Sequence, residues 1–145
     1  MSDARRRPRI LFLCTGNSCR SQMAEGWAKA LKGDVLEAHS AGTKPHGLNP
    51  LAVRAMAEAG VDISGHASKR PEEIGVGFDL VVTVCDSAHE SCPVLPGARM
   101  VHRGFDDPPR LAAGAASDDE AMPHYRHVRD EIRAFIETLP ASLMG

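Results

Sequence analysis

Short apolar runs alternate with stretches of helical period along most of this chain, and that alternation limits its possible folds more than any other feature. Arg9-Ile10-Leu11-Phe12-Leu13 is a continuous apolar run that stops at the turn-forming pair Gly16-Asn17, so it reads as a buried strand. Met23, Trp27, Ala30 and Leu31 follow at i, i+4, i+7 and i+8, one face of a helix that Gly33 closes. Val35-Leu36-Glu37-Ala38 is expected as a second strand, ended by Ser40-Ala41-Gly42. Leu51, Ala55, Met56 and Ala59 mark a second helix ended by Gly60, and Pro71 to Ile74 a short helical piece. Phe78 to Val84 is the strongest strand, β-branched and apolar on both faces near its end. Arg99-Met100-Val101-His102 is expected as a fourth, followed by a loop holding Asp106-Asp107-Pro108-Pro109. Tyr125, Val128, Ile132, Phe135, Ile136 and Leu139 then repeat at helical spacing. Ser117 with Glu120 resembles a capping box. Pro123 would fall in the second turn of a helix begun at Asp118, so the expected start lies nearer Pro123.

Strands alternating with helices predict an α/β fold, a four-stranded parallel sheet with helices on both faces. No repeat, low-complexity tract or linker breaks the pattern, and 145 residues are about one domain. Residues 1–8 are expected as a basic N-terminal arm and residues 9–145 as a single domain. At 43% hydrophobic and 25% charged residues the chain is an ordinary globular one, which excludes collagen-like, coiled-coil and mostly disordered readings. Aromatics are only 4%, so aliphatic side chains fill the core and nucleobases would find few stacking platforms. Seventeen Lys and Arg against nineteen Asp and Glu leave a net charge of -2, without the basic field of a nucleic-acid binder. No apolar stretch approaches the roughly 18 residues of a membrane span, and Ile10 to Leu13 is too short for a signal-peptide core. The expected location is the cytoplasm.

The four cysteines, Cys14, Cys19, Cys85 and Cys92, are too few for a disulfide scaffold and lack the two-residue gap of a zinc knuckle. In a reducing compartment they are either buried fillers or redox groups. Parallel sheets collect their chemistry beyond the carboxyl ends of their strands. The first expected strand ends at Cys14, the third at Cys85, and the fourth runs out toward Asp107.

Cys14-Thr15-Gly16-Asn17-Ser18-Cys19-Arg20-Ser21 lies between a strand and a helix. With five residues between them, Cys14 and Arg20 can close a loop around a tetrahedral anion. The N–H groups of Thr15, Gly16, Asn17, Ser18 and Cys19 then line it, and a helix N-terminus adds positive potential. Arg20 can grip two anion oxygens at once. Gly16 and Asn17 tolerate the positive φ of a tight ring. The same field favours a thiolate at Cys14, to which Ser21 could donate a hydrogen bond. The loop is not a Walker A motif, because no Gly-Lys-Ser or Gly-Lys-Thr is present.

This loop, with the Gln22-Met23-Ala24-Glu25-Gly26-Trp27 that follows it, resembles the low-molecular-weight protein tyrosine phosphatases and, more closely, their relatives the thioredoxin-coupled arsenate reductases. The resemblance extends from about Arg9 through Ser40-Ala41-Gly42, His46-Gly47, Asn49-Pro50 and Gly104-Phe105-Asp106-Asp107-Pro108. It implies that Cys14 is the nucleophile and Asp107, before Pro108, the general acid. A phosphatase needs one cysteine, because water finishes its turnover; reducing arsenate to arsenite takes two electrons, which thiols must supply. Cys85 and Cys92, in the polar stretch Cys85-Asp86-Ser87-Ala88-His89-Glu90-Ser91-Cys92-Pro93, resemble the reductase's two resolving cysteines. The implied cycle forms a Cys14–Cys85 disulfide as arsenite leaves, then a Cys85–Cys92 disulfide that thioredoxin reduces. The expected substrate is arsenate, with phosphate or sulfate as analogues. No organic cofactor is expected, and the chain is expected to be a monomer.

Cys19 is given no redox part, and Asn17 is expected to shape the loop through side-chain to backbone bonds. Some relatives hold a potassium ion at positions matching Asn17, Glu25 and Ser40, but an acidic ligand of that site matches Lys69 here. No potassium site, and no other metal, is therefore expected. His46, His66, His89 and His102 form no ligand spacing and are expected as surface or loop residues.

Overall fold

The computed structural model describes residues 7–84 and 98–139. Strands β1 (Arg9–Cys14), β2 (Glu37–Gly42), β3 (Leu80–Thr83) and β4 (Arg99–His102) form one parallel sheet in the order β2-β1-β3-β4. With them stand helices α1 (Arg20–Lys32), α2 (Pro50–Glu58), α3 (Pro108–Leu111) and α4 (Asp118–Glu137), and a 3-10 turn at Pro71–Glu73.

β1 has a strand on either side and is buried from Ile10 to Cys14, which is why its sequence is apolar without alternation. Ile10 and Phe12 join the larger core, with Met23 and Trp27 of α1 and Val128 and Ile132 of α4. Leu11 and Leu13 join Ala41 and Val81 on the opposite face, under Ile74, Phe78, Ala98 and Met100. Both faces of the sheet are covered, as its parallel strands require. The chain leaves β1 toward β2 and later returns on the other side of β1 as β3. Cys14 thus ends the strand at which the winding reverses, the place where open parallel sheets form a crevice.

The structure moves several expected boundaries. The second strand begins at Glu37 and runs through Gly42 instead of spanning Val35 to Ala38. Val35 is 40% exposed, whereas Ser40, Ala41 and Gly42 are buried and paired with Phe12, Leu13 and Cys14. Turn-type residues are used there because this end of the strand faces the loop rather than the hydrocarbon core. α1 is buried at every position from Arg20 to Ala28, while Ala30 and Leu31 are exposed. The sheet and α4 enclose its first turns, and its last turn projects beyond them.

Pro108 and Pro109 open the short helix α3 rather than lying in a loop, which suits proline at the first helical positions. α4 starts at Asp118, not near Pro123. Half of the capping box forms: Glu120 N donates to Ser117 Oγ at 3.2 Å, while the Glu120 carboxylate accepts from Ala116 N, one residue before the cap. Pro123 is exposed, so water can serve the carbonyl its ring leaves without a donor, while burial of Ala121 and Met122 stabilises the added first turn. Among the described residues, no helix is long and apolar enough to cross a membrane.

Candidate active site

Three helix starts show why one of them is open. Asn49 caps α2 with its Oδ1, accepting from Leu51 N at 2.8 Å and Ala52 N at 3.2 Å. Ser117 and three acidic residues cover the start of α4. α1 has no capping side chain and no acid in its first turn, so its positive end stays available to a ligand. Cys14 stands before it at the end of β1.

The loop between Cys14 and Arg20 is held open from outside. Thr15 O accepts from Lys44 N at 2.9 Å, Gly16 O from His46 N at 2.9 Å, Asn17 O from the Gln22 side chain at 3.1 Å, and Ser18 O from Asn49 N at 3.0 Å. With four consecutive carbonyls committed outward, the polar groups the ring has left for an anion are its N–H groups. They border a cavity of about 460 Å³, with Cys14, Thr15, Gly16, Ser18, Cys19 and Arg20 on its floor and walls. Thr43, Lys44, His46, Asp107 and Pro109 form its rim. The Thr15 hydroxyl is buried beside it without a hydrogen-bond partner.

Asn17 makes one side-chain to backbone bond, which runs to Lys69 rather than within the loop. It is fully buried with φ 45°, and among the described residues no other non-glycine has positive φ. It does not line the cavity. Its Nδ2 donates to two hydroxyls, Ser21 Oγ at 2.9 Å and Ser40 Oγ at 3.0 Å, and its Oδ1 accepts from Lys69 N at 2.9 Å. The Ser21 oxygen accepts from Asn17 and lies 3.0 Å from Cys14 Sγ, so its own proton is available to the sulfur. Gly16 does not take positive φ; a Cβ there would lie 2.9 Å from Nδ1 of the exposed His46 side chain, which would have to move aside.

Gly42 was not expected to matter to the loop, yet it is the tightest approach in it. A Cβ at Gly42 would lie 2.4 Å from Thr15 O, 2.7 Å from Asn17 N and 2.9 Å from Cys14 O, all backbone atoms that cannot swing aside. Gly42→Ala is expected to lower Tm by about 5–10 °C, as overpacking against backbone does, and to weaken phosphate binding in the folded protein. Calorimetry and phosphate titration check it, and an unchanged phosphate affinity would separate β2 from the loop.

Arg20 is 5% exposed; its Nη1 donates to Phe105 O at 3.2 Å and its Nε lies 3.7 Å from Asp107 Oδ1. Asp107 is the N-cap residue of α3, but its carboxylate does not cap that helix. Sheet and loop thus bring Cys14, Arg20, Ser21 and Asp107 to one edge. Cys19 is 4% exposed. Burial pushes its thiol well above the ordinary range, and the charges of Asp107 and Cys14 add to this, so it stays protonated. Cys85 and Cys92 lie outside the described residues, as does His89.

Beneath the loop, Glu25 is 4% exposed, accepts from Ser40 Oγ and pairs with Lys29. Burial pushes its carboxyl up, but the Lys29 and Ser40 hydrogen bonds and the nearby positive charge outweigh that and hold it below the usual carboxylate range. Lys69 Nζ stands 3.9 Å from Glu25 Oε1 and donates to Ala67 O at 3.0 Å. An ammonium thus stands beside the carboxylate that a bound cation would need. Equal activity is expected in potassium and sodium at matched ionic strength, and a sharp rise with potassium would contradict it. Among the described residues no group of three or more His, Cys, Asp or Glu could hold a metal. His66 is a half-buried loop residue with Nδ1 3.0 Å from Gln22 Oε1, His46 sits at the cavity rim, and His102 Nδ1 is 2.8 Å from Thr83 Oγ1.

The family model described as low molecular weight phosphotyrosine protein phosphatase matches residues 9–144. An arsenate reductase of Halalkalibacterium halodurans is 50% identical over 131 residues, 89% of this chain and 92% of the relative. The solved structure of an arsenate reductase in the phosphate binding state superposes with a TM-score of 0.73 at 29% identity, over 93% of this chain and 98% of the other. The thioredoxin-dependent arsenate reductase of Corynebacterium glutamicum gives a TM-score of 0.67 at 25% identity, over 94% of this chain and 61% of the other.

Proposed function

The chain belongs to the low molecular weight phosphotyrosine protein phosphatase family, and we propose that within this family it is an arsenate reductase that thioredoxin regenerates. The observation that carries the reading is the cavity. It has a cysteine at its floor, an arginine and an aspartate at its wall and rim, and, among the described residues, no Phe, Tyr or Trp in its lining. An aryl phosphate would want an aromatic wall for its ring. A bare tetrahedral oxyanion needs only charge and N–H groups.

In this reading the Cys14 thiolate attacks arsenic while Arg20 and the N–H groups of the loop hold the oxygens. Ser21 donates to the sulfur before the attack. Asp107, 3.7 Å from Arg20, gives its proton to the departing hydroxyl. Cys85 then attacks Cys14 Sγ, and the As–S bond breaks with its electron pair going to arsenic. As(V) becomes As(III), and two thiols become the Cys14–Cys85 disulfide. Cys92 attacks Cys85 and frees Cys14 as a thiolate, and thioredoxin reduces Cys85–Cys92. Such an enzyme is expected in the reducing cytoplasm, as a monomer. Residues 1–8 are read as an arm outside the catalytic machinery; the exposed Arg7 and half-buried Pro8 lie beside the start of β2, with Pro8 O accepting from Glu37 N at 2.9 Å.

The test is turnover by the purified chain with arsenate, thioredoxin, thioredoxin reductase and NADPH, beside hydrolysis of an aryl phosphate. Arsenite formed in step with NADPH consumption is the expected result. Aryl phosphate hydrolysis without arsenite would make the chain a phosphatase and overturn the reading.

A further inference from the structure

Arg20 enters the cavity from the first turn of α1, but the groups that aim it come from the opposite edge of the sheet. Its Nη1 donates to the Phe105 carbonyl and its Nε faces Asp107 Oδ1. Phe105 and Asp107 sit on the segment that leaves β4, with one residue between them. That segment continues the sheet: Arg103 N donates to Thr83 O at 2.9 Å and Phe105 N to Val84 O at 3.4 Å. The Phe105 ring is 4% exposed and held by two groups. Phe135 of α4 lies against it with centroids 5.9 Å apart, tilted by 59°. The guanidinium carbon of Arg103 stands 4.5 Å from the Phe105 centroid and 5.7 Å from that of Phe135.

We propose that Phe105, held on one side by the Phe135 ring and the Arg103 guanidinium, which also touch each other, is a positioning residue that sets Arg20 and Asp107 as one unit. The inference rests on the reading of the loop as an oxyanion site. The Phe105 carbonyl points where the φ and ψ of its residue put it, and the buried ring is the anchor that holds that stretch of backbone against α4. If the ring settles into a new position its Cα must follow, and the carbonyl moves relative to Arg20 Nη1. With only Asp106 between them, the same backbone shift moves the Asp107 carboxylate. Anion grip and proton donation therefore loosen together, although neither Phe135 nor Arg103 lines the cavity. Misplacing a reacting group by about 1 Å costs on the order of 100-fold in rate, so modest loosening of that hold has a measurable effect.

The test compares Phe135→Leu, Phe135→Tyr and the exposed Arg103→Gln by inorganic phosphate titration and by the pH profile of arsenate turnover. Phe135→Leu is expected to weaken phosphate binding about tenfold, to lower kcat/KM by more than that, and to displace the acid limb of the profile. Phe135→Tyr keeps the ring and restores both. Arg103→Gln, a surface change that leaves the core intact, moves both in the same direction by less. In an Arg20→Lys background Phe135→Leu should no longer change phosphate affinity, because the group it acts through is gone. Folded Phe135→Leu and Arg103→Gln with wild-type phosphate affinity would overturn the proposal, as would an undiminished effect in the Arg20→Lys background. A wild type that binds phosphate but makes no arsenite overturns the reductase reading, while the variants' affinities still decide this one. A wild type that binds no phosphate overturns both.

Discussion

Cys14→Ser is expected to end arsenate turnover and leave phosphate binding nearly intact. Removing a catalytic nucleophile costs a factor on the order of 10⁴ to 10⁶ in kcat. The anion, by contrast, is held by Arg20 and by N–H groups whose positions come from outward hydrogen bonds of the loop, none of which involves Cys14 Sγ. Serine is smaller than cysteine by little more than the difference between sulfur and oxygen. At a site 3% exposed, next to the Ser21 hydroxyl, it finds a hydrogen-bond partner without repacking. Stability should therefore change by no more than about 1 kcal/mol. Arsenite formation and phosphate calorimetry on one preparation check both halves. Turnover within tenfold of wild type would move the nucleophile away from the end of β1.

The second large effect separates the two outer cysteines. Cys85→Ser is expected to abolish arsenite formation while slow hydrolysis of an aryl phosphate continues, since hydrolysis needs only Cys14, Arg20 and Asp107. Cys92→Ser should behave differently and yield about one arsenite per chain before stopping. Its first turnover ends in a Cys14–Cys85 disulfide, and one partner of that bond is a sulfur buried at the floor of the cavity, 3% exposed. Thioredoxin attacks a sulfur only where its own thiolate can reach it, so a disulfide anchored there is a poor substrate. A rapid-quench experiment with the thioredoxin system present distinguishes the stoichiometric burst from steady turnover. Undiminished arsenate reduction by Cys85→Ser would end the three-thiol scheme.

Local patterns carried most of the fold. The apolar run of β1, the β-branched run of β3 and the helical period from Tyr125 onward are properties of a few neighbouring residues, and all three elements exist, with β3 trimmed to Leu80–Thr83 and α4 extended back to Asp118. The loop from Cys14 to Ser21 was legible for the same reason. Errors arose where a local rule met a tertiary exception. Ser40-Ala41-Gly42 looks like a turn, but Ser40 finds Asn17 and Glu25 as partners inside the sheet. Pro123 looks like a barrier to a helix, but it lies on the solvent face of α4 and costs little there. Asn17 makes one side-chain to backbone bond, to a distant N–H, and its two bonds to hydroxyls, which residue type alone does not reveal, complete its hold on the loop.

By itself the sequence determined the order of the four strands and three longer helices described, and the loop that joins Cys14 to Ser21. Each of these depends on backbone periodicity or on residue types a few positions apart. Only the tertiary structure decided what holds them in working geometry. The bonds that matter there join residues 23, 52 and 85 positions apart: Asn17 to Ser40, Lys69 to Asn17, and Arg20 to the Phe105 carbonyl. Strand order β2-β1-β3-β4 makes neighbours of those segments, and no periodicity within any one of them records which strand will lie alongside.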